Sequence, residues 1–209
     1  MNEQSKSVGM KRQILRLTMM TVMALFALPL YVNAGVPQQT IEAYVNKVLD
    51  VLRDPALKSE SAKEAKEEKI WSILDDIFDY TELSRRTLSR NWNKFNGDQQ
   101  KEFEDLFRKL LGNVYMDRIL AYKDEKVAFE RETMLSADKA EVQTKILTGT
   151  NEIPMDYRMI AKNHQWKVYD VIIEGVSMIK NYRSQFNDIL SKKPPEELLK
   201  ILRKKVGKA

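Results

Sequence analysis

Apolar residues recur every three or four places through the first half of this chain, and every second place through much of the second half. Ile41, Tyr44, Val45, Val48, Leu49 and Leu52 trace one face of a first amphipathic helix, which Asp54-Pro55 stops. Ser61 with Glu64 three residues later has the form of a capping box and opens a second helix. Its stripe is Ala62, Ala65, Ile73, Leu74, Ile77 and Phe78. Asp79 with Glu82 repeats the signature before a shorter helical piece carrying Leu83, Leu88 and Trp92. Asn96 with Gln99 caps the clearest helix, where Phe103, Leu106, Phe107, Leu110, Leu111, Val114, Tyr115 and Arg118 keep three-four spacing.

From about Lys126 the period becomes two. Val127, Phe129 and Arg131 alternate with charges, as do Val142, Thr144 and Ile146, and then Ile153, Met155, Tyr157, Met159 and Ala161. Ser136-Ala-Asp138, Gly149-Thr-Asn151 and Asn163-His-Gln165 are each the length of a hairpin loop. Trp166 to Ile173 is apolar on nearly every residue, so that strand is covered on both sides. After Gly175 the period returns to helical through Val176, Ile179, Tyr182 and Phe186, and Pro194-Pro195 opens a last basic helix with Leu198, Leu199 and Leu202. The pattern predicts an α+β fold, with helices packed on one face of a four-stranded antiparallel sheet.

The first 34 residues change how composition is read. Lys6, Lys11, Arg12 and Arg16 precede an apolar run from Leu17 to Leu30, and Val32-Asn33-Ala34 offers small residues at −3 and −1. This is the layout of a cleavable signal peptide over residues 1–34, which leaves a single domain at 35–209. The alternative, an uncleaved anchor, has to contend with Pro29 and a run short of the ~20 residues a span needs. The leader holds four of the 35 basic residues and one of the 30 acidic ones, so the formal charge falls from +5 to +2 on cleavage. Nucleic acid loses its main support as a partner. With no cysteine, disulfides, thiol chemistry and lipoprotein processing are excluded.

Conventional chemistry finds little purchase. His164 is the only histidine and sits at a hairpin tip without a visible orienting partner, so it reads as a loop residue. No second histidine or cysteine is available for a transition metal, and no G-x-G-x-x-G, P-loop or G-x-S-x-G occurs, so no cofactor and no metal is expected. Asp156, Asp170 and Glu174 lie on or beside strands. Asp156 or Asp170 serves as a general base if this is a cone-shaped α+β enzyme acting on a small apolar substrate. The structural alternative has Asp170 or Glu174 pairing with Arg158 or Arg183 to pin the strand–helix corner.

Several segments resemble one family of exported lipid carriers. Phe78-Asp-Tyr80, followed by Leu88-Ser-Arg-Asn-Trp92, is similar to its Phe-Asp segment and Leu-Gly-x-x-Trp motif, with Ser89 where glycine is usual. Gln99 to Tyr115 is similar to its Phe-rich helix. Asp156-Tyr-Arg158 and the run from Trp166 through Tyr182-Arg-Ser-Gln-Phe186 resemble its most distinctive signature. The family is the periplasmic phospholipid-binding component of the Mla (maintenance of lipid asymmetry) transport system, also called the toluene-tolerance auxiliary component. The resemblance implies a soluble periplasmic shuttle without catalytic groups, holding phospholipid acyl chains in an apolar cavity between helices and sheet. It also implies exchange of lipid with an inner-membrane ABC transporter complex, through its substrate-binding subunit, and with an outer-membrane lipoprotein–porin complex. The residues expected to line such a cavity are Ile77, Phe78, Leu88 and Trp92 from the early helices, and Phe107, Leu111 and Tyr115 from the long helix. Tyr157, Met159, Val171 and Ile173 come from the sheet, with Val176 and Ile179 at the floor and Arg158 or Arg183 near the head group. A protein that acts only as an adaptor for other proteins is the remaining alternative.

Overall fold

The computed structural model describes residues 36–122 and 125–207. The expected leader and its cleavage site lie outside the described residues. Helix α1, Val36–Arg53, ends where Asp54 turns the chain, its carboxylate accepting from the Ala56 amide at 2.9 Å to cap a 3₁₀ turn at Pro55–Leu57. Helix α2, Lys63–Ile77, starts differently from the capping-box expectation. The residues Glu60–Ala62 form a 3₁₀ turn, Ala62 stands at the N-cap without a side-chain bond, and the Ser61 hydroxyl sits 3.0 Å from that of Ser59. The tight turn occupies the place in which Ser61 would have capped.

Helix α3, Tyr80–Leu88, is capped by Asp79, which accepts from the Glu82 amide at 2.8 Å. Ser89 breaks it with a left-handed φ of 51°, and a 3₁₀ segment, Ser89–Lys94, carries the chain to α4, Gly97–Leu120. There the capping box is complete, with Asn96 accepting from the Gln99 amide at 2.9 Å and Gln99 accepting from the Asn96 amide at 3.2 Å.

The strands β1 (Lys126–Ser136), β2 (Lys139–Leu147), β3 (Glu152–Lys162) and β4 (Gln165–Ile173) form the expected antiparallel meander. A fifth strand, β5, is added by Val176–Ser177, which pairs with Ile172 and Ile173. The sequence pattern placed Val176 at the start of a helix. Instead Glu174 (φ 50°) and Gly175 (φ 79°) make a two-residue hairpin turn with both residues left-handed. The chain therefore pairs once more before Ser177 caps helix α5, Met178–Leu190, by accepting from the Lys180 amide at 3.1 Å. Helix α6, Pro195–Val206, closes the chain order.

The registers fix the faces of the sheet. Val142 opposes Tyr157, Tyr157 opposes Val171, and Met155 opposes Ile173, so these residues share one face. That face and the helices contribute to one continuous apolar core. Helix α1 is tied to the same face through the Gln38 amide, which donates to Glu132 at 2.8 Å. The first half of the outer edge of β4 is covered by Phe78-Asp79, where the Asp79 amide donates to the Val168 carbonyl at 2.8 Å. Within the helical layer, Phe103, Phe107, Tyr182 and Phe186 pack with ring centroids 5.1 to 5.6 Å apart, joining α4 to α5. Val114 departs from the predicted stripe of α4 and is 39% exposed.

Candidate functional site

The apolar residues expected to act together fall into two groups. Ile77, Leu88, Phe107, Leu111, Met159, Val171 and Ile179 are buried in the continuous core. Phe78, Trp92, Tyr115, Tyr157 and Ile173 pack against that core while keeping exposed surface. Val176 belongs to neither group. It is 60% exposed, because the Glu174-Gly175 turn places it on an edge strand rather than on the floor.

The part-buried group carries the geometry of the site. Tyr157 lies on β3, the middle strand of the sheet, on the face toward the helices. A large side chain there is fully covered when the layers sit flush, since protein interiors pack to crystal-like density. Tyr157 is not, and neither are Met155, Ile173 and Phe129 on the same face. Burial alone pushes the Tyr157 hydroxyl up to about 12. That hydroxyl donates to the Met155 sulfur at 3.1 Å, a weak acceptor. The helices thus leave apolar surface partly uncovered at Phe129, Met155, Tyr157 and Ile173, while Val142, Met159 and Val171 beside them on the same face are buried. Phe129, Met155, Trp166, Tyr44 and Val45 also pack partly buried against the core, although sequence reasoning left them out of the lining. For Met155 the signal was present, since it has the parity of Tyr157 and Met159. For Tyr44 and Val45 it was not, because nothing in an amphipathic stripe says which layer it will face.

The two proposed head-group arginines separate. Arg158 lies on the opposite face of β3 from Tyr157, where it donates to Glu141 at 2.9 Å and stands 3.8 Å from Asp170. It is an ion-pair residue of the far face, because alternation along the strand turns it away from the helices. Arg183 instead donates through Nε at 3.0 Å and Nη2 at 2.7 Å to the Arg86 carbonyl, beside an open cleft of about 330 Å³ lined by Leu88, Ser89, Arg90 and Lys180 among others. A second open cleft, of about 560 Å³, lies between α2 and α4 and is lined by Trp71, Asp75 and Arg108.

The carboxylates are structural in geometry. Asp170 is 2% exposed, and accepts from the Ser177 hydroxyl at 2.7 Å and the Ile179 amide at 3.0 Å. Its lone pairs hold the junction of β5 and α5, so it is not positioned as a base. Glu174 is exposed on its turn. For Asp156, burial and then the Glu141 charge push the carboxyl up, while His164 is exposed at the hairpin tip that follows β3. Among the described residues no acidic or histidine cluster suits a metal ion.

Known proteins resemble this chain over most of its length. The profile of the MlaC protein family matches residues 42–204. The toluene tolerance protein ttg2D of Pseudomonas putida is 25% identical over 182 residues, covering 86% of this chain and 84% of that protein. The intermembrane phospholipid transport system binding protein MlaC of Haemophilus influenzae is 23% identical over 135 residues, covering 61% and 63%. A phospholipid-binding protein of Ralstonia solanacearum, solved in complex with a phospholipid, shares the fold with a TM-score of 0.73 at 23% identity, covering 82% of this chain and 97% of that one.

Proposed function

This chain belongs to the MlaC protein family, and on that premise we propose that it is a phospholipid carrier that holds acyl chains between its sheet and its helices. The observation that carries the reading is the group of large apolar side chains, Phe129, Met155, Tyr157 and Ile173, left only partly covered on the face of the sheet toward the helices. The names of the P. putida and H. influenzae relatives, and the phospholipid in the R. solanacearum structure, point the same way.

The physical task explains why no reactive group is needed. At about 0.8 kcal/mol per CH₂, moving a sixteen-carbon tail from a bilayer into water costs on the order of 10 kcal/mol. Two tails cost roughly twice that, which makes unaided crossing of an aqueous gap prohibitively slow. An apolar lining removes most of that barrier by solvation alone. Ile77, Leu88, Phe107, Leu111, Met159, Val171 and Ile179 would form its walls, with Phe78, Trp92, Tyr115, Tyr157 and Ile173 facing the tails. No helix among the described residues is long and apolar enough to cross a membrane. In this reading residues 1–34 are removed on export, and residues 35–209 work as one domain in the periplasm. Lipid is exchanged there with the substrate-binding subunit of an inner-membrane ABC transporter complex and with an outer-membrane lipoprotein–porin complex.

Native mass spectrometry of the protein after mild extraction tests the reading. Co-purifying phospholipid in the wild type, reduced at least several-fold in Leu111→Trp with the fold retained by circular dichroism, is the expected result. A wild-type protein free of lipid that also fails to extract any from vesicles sinks it.

A further inference from the structure

Three cations meet in one cleft without an acid to neutralise them. The cleft lies between the Ser89–Lys94 turn and α5, encloses about 330 Å³, and has Arg90, Lys180 and Arg183 in its lining with no carboxylate. Elsewhere several arginines are held by acids. Arg85 and Arg86 are neutralised by Glu82, Arg108 by Asp75, Arg158 by Glu141, and Arg203 by Glu102 and Glu196. Among the described residues, Arg90, Lys180 and Arg183 take part in no ion pair. Concentrating like charge costs free energy unless something compensates it.

The geometry is prepared on both walls. Ser89, at φ 51°, ends α3 and turns the chain so that Arg90 reaches α5, where its guanidinium donates to the Asn187 amide oxygen at 3.4 Å. The same oxygen accepts from the buried Asn91 at 3.3 Å. On the other wall the Arg183 guanidinium is held by two bonds to the Arg86 carbonyl, at 3.0 and 2.7 Å. Capping the end of α3 uses one edge of that planar group. Its Nη1 has no partner among the described residues, so those donors are fixed in place and unused. Lys180 lies one helical turn before Arg183 on the same side of α5. At the floor is Leu88, 1% exposed and part of the continuous apolar core.

We propose that this cleft is a phosphate-binding site. Fixed guanidinium donors with a lysine beside them suit a tetrahedral, multiply charged oxyanion better than a single carboxylate. The phosphate can be that of a phospholipid head, in which case the site rests on the carrier reading and Leu88 joins it to the tail lining. It can equally be free phosphate.

Inorganic phosphate is titrated at constant ionic strength into protein as purified and into delipidated protein, following the amide signals of Ser89 and Lys180 by NMR. The comparison variants are Arg90→Gln/Lys180→Gln and, as a control on α6, Lys200→Gln. The expected result is saturable binding in the delipidated wild type and in Lys200→Gln, weakened about tenfold in the double variant. Shifts that do not saturate, or an affinity unchanged in the double variant, overturn the proposal. If the lipid-loaded protein has lost the response that the delipidated protein shows, the site takes the lipid's own phosphate; equal responses assign it to free phosphate. Lipid in the wild type without phosphate binding sinks this site alone, whereas phosphate binding by a protein that never carries lipid sinks the carrier reading and leaves the site standing.

Discussion

Asn163 and His164 both adopt left-handed backbone, at φ 50° and 62°, because a two-residue hairpin between Lys162 and Gln165 requires it. Asparagine tolerates that region; a histidine does so at some cost. Replacing His164 by glycine is expected to stabilise the protein by about 0.5 kcal/mol, the relief of strain exceeding the added freedom of the unfolded chain. Urea denaturation measures it, and a loss of stability would mean that the imidazole makes a favourable contact. The opposite case is Gly112, buried in α4. A Cβ there would stand 1.9 Å from the ring of Trp71, which Arg108 covers from 4.1 Å. Gly112→Ala is expected to cost about 1 kcal/mol, since the indole must leave its stack on Arg108 for the open cleft it lines. The glycine is visible in the sequence, whereas the indole that demands it comes from another helix and is not.

Helix α3 is fastened to the sheet through two carboxylates, Asp79 and Glu82, which share Lys162. Glu82 is 4% exposed and receives Arg85 at 2.8 Å, Arg86 at 2.6 Å and, at 3.7 Å, Lys162 from the end of β3. Lys162 also reaches Asp79 at 2.5 Å, and Arg86 stacks over Tyr169 at 4.1 Å. Burial opposes ionisation of Glu82, but the hydrogen bonds and charges of Arg85 and Arg86 outweigh it and hold the carboxyl below its usual range. A depressed folded-state pKa contributes stability above the unfolded value of about 4.5, and that contribution is lost as pH falls through the folded value. Glu82→Gln is therefore expected to cost about 1.5–3 kcal/mol at neutral pH, because Arg86 loses its buried carboxylate while the half-exposed Arg85 falls back on water. The deficit should shrink in thermal melts taken progressively below pH 4.5; a deficit independent of pH would show that shape rather than charge holds the helix. The same residue explains what could be read at this scale. Asn96 and Gln99 cap each other on an exposed turn, so local sequence decided the outcome. Asp79 and Glu82 have the same pattern, yet the Asp79 amide goes to the Val168 carbonyl and the Glu82 side chain to Arg85 and Arg86 on its own helix. Ser61 and Glu64 lose to a 3₁₀ turn. The period of two located three strands and a continuous apolar run the fourth, while β5 escaped because two paired residues are too few to show a period.

For the whole molecule, alternation along β3 set Tyr157 and Met159 on a common side. The near-continuous apolar run of β4 left the side of Val171 and Ile173 open by one residue, and only the pairing of Tyr157 with Val171 and Met155 with Ile173 settles it. Alternation could not show how far the helices stand from that face, because a stripe of large apolar residues looks the same whether it fills a core or lines a void. That distinction has an energetic consequence. An uncovered apolar lining weakens the empty protein, by roughly 24 cal/mol for each Å³ left unfilled, and a tail that fills it restores the loss. Ile173 is half-buried on this face, opposite Met155, and Phe at that position adds volume where the lining is incomplete. Ile173→Phe is thus expected to raise the melting temperature of delipidated protein, by about 0.5–1 kcal/mol in free energy, while lowering the lipid it retains. In the lipid-loaded wild type the melting temperature should lie above that of the delipidated form, and the variant should narrow the gap from both sides. A close-packed interior predicts the reverse: the larger ring would strain the sheet, and stability would fall with or without lipid. Calorimetry of both proteins, loaded and stripped, separates the two, because only a void makes stability and capacity move in opposite directions.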